Sequence, residues 1–248
     1  MQNATEGLEA ALEKLTGSQE DFYKGQLVLT RVVGEAGAPG NDAKRAEVSR
    51  KLVEALVNGG KYPIAARREI ARRLGEIGGD SEIPALQSAL VDLELRESAR
   101  GALDRIPTPA AAAALVQASK QLLGDRFVIG IVNALGQRSG EGVIPALSEL
   151  AKSPNAEIRV AVGEAISQHA EPSGDEIILA IINDKSVPLT PQESGRLAKA
   201  RVRLAANLGE KDKKAEAKRI LDSIVAKDPN STHGVVAKRM LTALLFSC

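Results

Sequence analysis

A fixed step of 12 residues runs through the middle of this 248-residue chain. It starts from an aliphatic residue near the end of five successive helix-like segments: Leu74 in "REIARRLGEIGG", Leu103 in "ESARGALDRIP", Leu135 in "IGIVNALGQR", Ile166 in "AVGEAISQHA" and Leu208 in "VRLAANLGEK". Each time it lands on another aliphatic residue, namely Leu86, Leu115, Leu147, Ile178 and Ile220. The anchors themselves are 29, 32, 31 and 42 residues apart. A constant step beside a variable period means that the turn between repeats is fixed, while the turn inside a repeat accepts insertions. Repetition at such a period belongs to stacked helix pairs, none of which can bury its apolar face alone.

The segments that end at the anchors share an internal pattern. Four residues before each anchor stand Ile70, Ala99, Ile131, Val162 and Leu204, and eight before stand Ala66, Leu95, Phe127, Ile158 and Ala200. Spacings of four and eight keep side chains on one helix face, so each of these second helices carries one buried stripe. Gly78, Pro107, Gly140 and Pro172 follow the second helices as stop signals, and Pro84, Pro109 and Pro145 fall in the first turn of the next helix, where proline is tolerated. The tetrapeptide Ile-Pro-Ala-Leu, at 83–86 and again at 144–147, is therefore a helix start. Three Phe, two Tyr and no Trp leave a core of small aliphatic side chains, which favours close helix packing over stacked sheets.

The segment "GVIPALSELAKSPNAEIRVAVGEAISQHA" (142–170) resembles a HEAT repeat of the short type found in phycobilisome-lyase-like proteins, and residues 60–185 fit that type best. The resemblance implies an all-α, right-handed α-α superhelix, a HEAT-like α-solenoid of about six helix pairs. Residues 43–209 are expected to form the repeat array, residues 1–42 N-terminal capping helices, and residues 210–248 a C-terminal capping pair that reads more like a tetratricopeptide pair, all in one continuous domain. Helices are expected at about 4–15, 19–36 and 43–58. Many bacterial proteins of this type have no assigned activity.

Charge and composition remove several function classes. Lys+Arg 33 against Asp+Glu 32 gives a formal charge of +1, so no global attraction draws the chain to nucleic acid or anionic lipid. No apolar stretch approaches the roughly 20 residues that span a bilayer. Cys248 is the only cysteine, and His169 and His233 are the only histidines, which leaves no zinc site of recognisable spacing. Neither a nucleophile elbow nor a phosphate-binding loop can be assembled: Gly60-Lys61 is followed by Tyr62, where such a loop needs Ser or Thr. No cofactor is expected, and the chain is expected not to be an enzyme. No signal peptide is visible, so a cytoplasmic location is the default, with export if Met1 replaces a removed leader.

Three features remain as candidate sites. Arg67, Arg96, Arg159 and Arg201 stand seven residues before their anchors, either gripping anions or forking onto carbonyls and acids of neighbouring repeats, the role that the HEAT resemblance implies. Arg67, Arg68, Arg72 and Arg73, together with the segment 196–219 with nine basic against three acidic residues, form local basic surfaces that either bind a polyanion or are solvated faces. No aromatic residue accompanies either, so the stacking used on single-stranded nucleic acid is missing. The position six before each anchor reads Arg68, Glu97, Ile129, Val160 and Val202, turning from charged to branched aliphatic along the array. That strip is either a partner-binding patch or lateral packing between second helices.

These features lead to the expectation of a non-catalytic scaffold, monomeric, that binds a protein or peptide on its concave helical surface. The partner surface is expected to comprise Arg68, Arg72, Ile129, Asn133, Val160, Glu164 and Val202. Two alternatives stand beside it: an enzyme or enzyme subunit of the bilin-lyase-like kind, implied by the resemblance alone, and nucleic-acid binding through the basic helices.

Overall fold

The computed structural model describes the backbone of residues 4–246 and the side chains of residues 7–244, so Met1 and Cys248 lie outside the described residues. Among them are fourteen α-helices, one short 3-10 turn at Asp80–Glu82, and no strand. The first six helices, α1 (Ala4–Lys14), α2 (Gln19–Gly37), α3 (Asp42–Val57), α4 (Ile64–Ile77), α5 (Ile83–Ala89) and α6 (Arg96–Arg105), lie in a compact unit, Met1–Ala118. A second unit, Ser119–Cys248, holds α8 (Val128–Gly136), α9 (Val143–Leu150), α10 (Ala156–Ile166), α11 (Ser173–Asn183), α12 (Pro191–Glu210), α13 (Lys214–Lys227) and α14 (Thr232–Phe246). The boundary falls inside α7 (Pro109–Gln121).

Within each unit the helices pack as consecutive pairs: α1 on α2, α3 on α4 and α5 on α6 in the first, α9 on α10, α11 on α12 and α13 on α14 in the second. The second helices also pack side by side, α2 on α4 on α6 in one unit and α8 on α10 on α12 on α14 in the other. The 12-residue step marks the burial of both layers. All five anchors and all five residues that the step reaches are 0% exposed. The residues four before the anchors are equally buried, and of those eight before only Phe127 is more than marginally open.

Local chemistry sets the helix ends. The Ser18 hydroxyl accepts the Asp21 amide at 3.2 Å while the Asp21 carboxylate takes the Ser18 amide at 3.3 Å, and Thr190 and Glu193 repeat this reciprocal cap at α12. Pro84, Pro109 and Pro145 each lie in a first turn, as the repeated tetrapeptide predicts. Gly142, at φ 85, takes the left-handed turn that leads into α9.

Lateral packing of the second helices depends on small residues just after the anchors. A Cβ at Gly75 would sit 2.7 Å from the Ala102 Cα, and one at Gly136 would sit 2.9 Å from the Ala165 Cα. Both glycines directly follow an anchor and both alanines directly precede the next, so two backbones meet at the same repeat position in each unit. In the following repeat the pair is Ser167 and Asn207, whose side-chain Nδ2 donates to the Ser167 carbonyl at 2.9 Å.

Candidate functional site

The expected partner surface separates into exposed, half-buried and buried members. Arg68 and Arg72 are exposed on α4, Asn133 is exposed on α8, and Ile129 on α8, Glu164 on α10 and Val202 on α12 are half-buried. Val160 departs from expectation: it is 0% exposed and belongs to the core. On α10, which packs against α8, α9, α11 and α12, this position is covered, whereas on α12, between α10 and α14, it stays partly open at Val202. The signal was present in "AEIRVAVGEAI", which is apolar or small nearly all round, as a helix enclosed by neighbours should be.

None of the charged members is bare. Arg68 Nε donates to the Glu94 carbonyl at 2.6 Å and its Nη2 pairs with the Glu94 carboxylate. Arg72 Nη1 donates to Glu69 Oε2 at 2.7 Å; that buried carboxylate also accepts Arg73 Nε at 2.8 Å and Gln26 Nε2 at 3.1 Å, tying α2 to α4. Arg73 also pairs with Glu76 at 3.1 Å. The Arg67–Arg73 cluster is thus matched by Glu69, Glu76 and Glu94, which leaves little net field for a polyanion. Glu164 accepts Arg196 Nε at 2.9 Å and Nη2 at 2.6 Å, a two-pronged bridge from α12 to α10.

Three of the four arginines seven residues before the anchors, Arg67, Arg159 and Arg201, bond inside the protein. Arg67 Nε donates to the Leu56 carbonyl at 2.6 Å. Arg159, with a side chain only 5% exposed, donates through Nε to the Ser153 carbonyl and through Nη1 to Asp184 Oδ2 at 2.7 Å. Arg201 Nε and Nη2 reach the two oxygens of Asp175 at 2.6 and 3.2 Å, and Nη2 also donates to the Ser223 hydroxyl at 2.6 Å. Arg96 is half-buried at the start of α6. Of the two readings of this ladder, these bonds match the one in which it fastens loops and acids of the stack.

Asp175 was missed in the sequence, although a signal was there. It stands nine residues after Ile166, and the matching positions after the other anchors are Ile83, Ala112, Ile144 and Ala217. A lone acid in an otherwise apolar slot calls for a buried cation, because an unpaired buried carboxylate is too costly to keep.

His169 Nε2 lies 3.1 Å from the Leu135 carbonyl, and burial pushes the imidazole below its ordinary pKa. His233 is half-buried near the start of α14. Among the described residues no group of three His, Cys, Asp or Glu side chains could hold a metal ion, and no helix is long and apolar enough to cross a membrane.

No protein-family model and no curated protein matches the chain. Among solved structures it is similar to the complex of CpcE and CpcF of phycocyanin lyase from Nostoc sp. PCC7120, with 19% identity, TM-score 0.46, and 96% of this chain and 94% of that chain covered. It is also similar to an engineered protein, with 21% identity, TM-score 0.48, and 96% and 68% covered. A third structure is human deoxyhypusine hydroxylase in complex with glycerol, with 16% identity, TM-score 0.35, and 98% and 96% covered. The expectation that the chain is not an enzyme is corrected by these findings, since two of the three structures are described as a lyase and a hydroxylase, and it is withdrawn. Paired helices, buried anchors and second helices packed side by side within each unit make this chain an all-α, HEAT-like repeat protein.

Proposed function

We propose that the chain binds a polypeptide partner on the second-helix face of its second unit, around Ile129, Asn133 and Val202, with the Glu164–Arg196 bridge at the edge. One observation carries this reading: Ile129 and Val202 stay partly open on the two helices that flank α10, at the repeat position where the first unit carries Arg68 and Glu97. Branched aliphatic side chains left partly in water beside an exposed amide suit a contact surface with an apolar centre and a polar rim. The proposal is confined to the second unit and so does not extend to Arg68 and Arg72, which belong to the first.

The test is Ile129→Asp combined with Asn133→Arg. Cross-linking in the native host, read by mass spectrometry, should lose the partner while helicity and melting temperature stay near those of the unaltered protein. Capture of the same partner by the double variant would overturn the reading.

The proposal does not exclude catalysis. The alternative implied by the repeat resemblance, an enzyme or enzyme subunit of the bilin-lyase-like kind, has in its favour the description of the CpcE and CpcF complex as a phycocyanin lyase. Incubation with a tetrapyrrole tests it, because binding would give the protein visible absorbance that survives gel filtration. A colourless protein fraction would remove this alternative.

A further inference from the structure

The repeat period breaks once: the last two anchors, Ile166 and Leu208, are 42 residues apart, against 31 for the pair before. Most of the additional residues lengthen α12 ahead of Leu208; the connection that begins at Asp184 spans 184–190, against 151–155 in the pair before. Beside that connection the structure has a cleft of about 530 Å³ between α9 and α11, lined by Asp184 and Ser186. It is distinct from the second-helix face, because α9 and α11 are both first helices of their pairs.

One end of the cleft is built around a buried cation. Arg159 lines it with a side chain only 5% exposed. Its Nε is bonded to the Ser153 carbonyl and its Nη1 to Asp184 Oδ2, while Asp184 Oδ1 accepts the Ser186 amide at 2.8 Å. Nη2 has no protein partner among the described residues. A guanidinium held so firmly keeps one donor edge in a fixed place, the condition under which Arg selects a carboxylate. Beside it the cleft is apolar, with Ala151, Ile177, Ala180 and Ile181 in its lining.

Two further charges shape what can enter. Lys152 also lines the cleft; its pair with Glu149 at 2.8 Å is solvent-exposed on both sides, and such pairs hold weakly enough for the ammonium to turn toward a ligand. Glu176, exposed on α11, adds a negative charge to the lining. Glu176 and Asp184 repel any anion, so a ligand with a second negative charge, such as a phosphate or a dicarboxylate, meets about twice the repulsion that a monocarboxylate with an aliphatic body meets.

We infer that the α9–α11 cleft binds an aliphatic monocarboxylate, its oxygens taken by Arg159 and Lys152 and its hydrocarbon laid on Ala151, Ile177, Ala180 and Ile181. Either a free small acid or the carboxy-terminus of a polypeptide ending in an aliphatic residue has this chemistry.

The probes are isocaproate, isocaproamide, acetyl-alanyl-leucine and its amide, titrated into the whole chain and followed by amide chemical shifts in α9 and α11. Isocaproate should bind at least about tenfold more tightly than isocaproamide, the ratio set by one charge-assisted hydrogen bond. Acetyl-alanyl-leucine binding more tightly than isocaproate assigns the site to a chain terminus, and weaker binding assigns it to a small acid; each outcome supports the cleft's chemistry. Ala180→Trp, at an exposed position, should fill the cleft and remove the shifts without lowering the melting temperature. Equal binding of acid and amide, which needs no variant to observe, overturns the inference. Isocaproate shifts that survive Ala180→Trp overturn it as well.

Discussion

Arg159 in the α9–α10 pair and Arg201 in the α11–α12 pair occupy the same repeat position, and both side chains are 5% exposed. Their counter-charges differ. Arg201 is gripped by Asp175 of its own pair, whose side chain is 8% exposed, whereas Arg159 reaches forward to Asp184 in the next pair, which is 37% exposed. The cause lies in the slot nine residues after the preceding anchor, which holds Asp175 in one pair and Ile144 in the other. The repeat therefore fixes where the guanidinium lies, while a single residue on the first helix decides what it holds. The ion pair of Arg201 lies within one helix pair, with only a neutral bond onward to Ser223 of the next; that of Arg159 bridges two pairs and borders a cleft.

The largest test of this contrast is Arg201→Ala. It leaves Asp175 buried and unpaired, so chemical denaturation should show a loss of about 3–5 kcal/mol. Arg201→Met together with Asp175→Leu should recover most of that loss, because the pair as a whole contributes little net stability. If the double variant were as unstable as the single one, Arg201 would matter for its shape and not for its charge.

The anchors are the control. Ile166→Ala and Leu208→Ala should each cost about 2–5 kcal/mol through lost burial and the cavity left behind. Both anchors are 0% exposed, so similar costs would confine the difference between the pairs to their arginines. Arg159→Ala comes next, at about 1–3 kcal/mol, since the Ser153 carbonyl loses its donor while Asp184 can turn to water. A loss as large as that of Arg201→Ala would erase the contrast.

The smallest effect is one of pH. Hydrogen bonds from Ser186 first, and then from Arg159, lower the Asp184 pKa to about 2. A depressed carboxyl stabilises the fold above its unfolded pKa, near about 3.9, and that contribution disappears as pH falls through the folded value. Asp184→Asn should therefore flatten the melting-temperature profile between about pH 4 and pH 2. An unchanged acid limb would mean that the bonds from Ser186 and Arg159 to Asp184 are not maintained in solution.

Much of the architecture was legible in the chain because burial on a helix follows spacing. Leu74, Leu103, Leu135, Ile166 and Leu208, and the positions they predict, needed no tertiary knowledge. Val160 was not legible from spacing, since six residues before an anchor lies on a flank that is open on an isolated helix. It is covered where α8, α9, α11 and α12 pack around α10. Ile129 and Val202 occupy the same position yet stay half-open. Pairings such as Gln26 with Glu69 and Arg68 with Glu94 join distant parts of the chain, and no local rule selects one acid over another. The longer last period was visible in the sequence, but not that α12 takes up most of it, nor the cleft that Asp184 and Ser186 help to line.

The contact just after Leu74, Leu135 and Ile166 has a consequence for how such chains grow and shrink. Asn207 meets Ser167 where Ala165 meets Gly136, so what touches the residue after an anchor is supplied by the helix of the next repeat. Excising Gly136–Ile166 would place Ser167 directly after Leu135, with Asn207 still downstream to meet it and the step to Ile178 unaltered. The portable piece is the stretch from one anchor to the next, cut in mid-contact, because a splice there carries both halves of the following contact along with it.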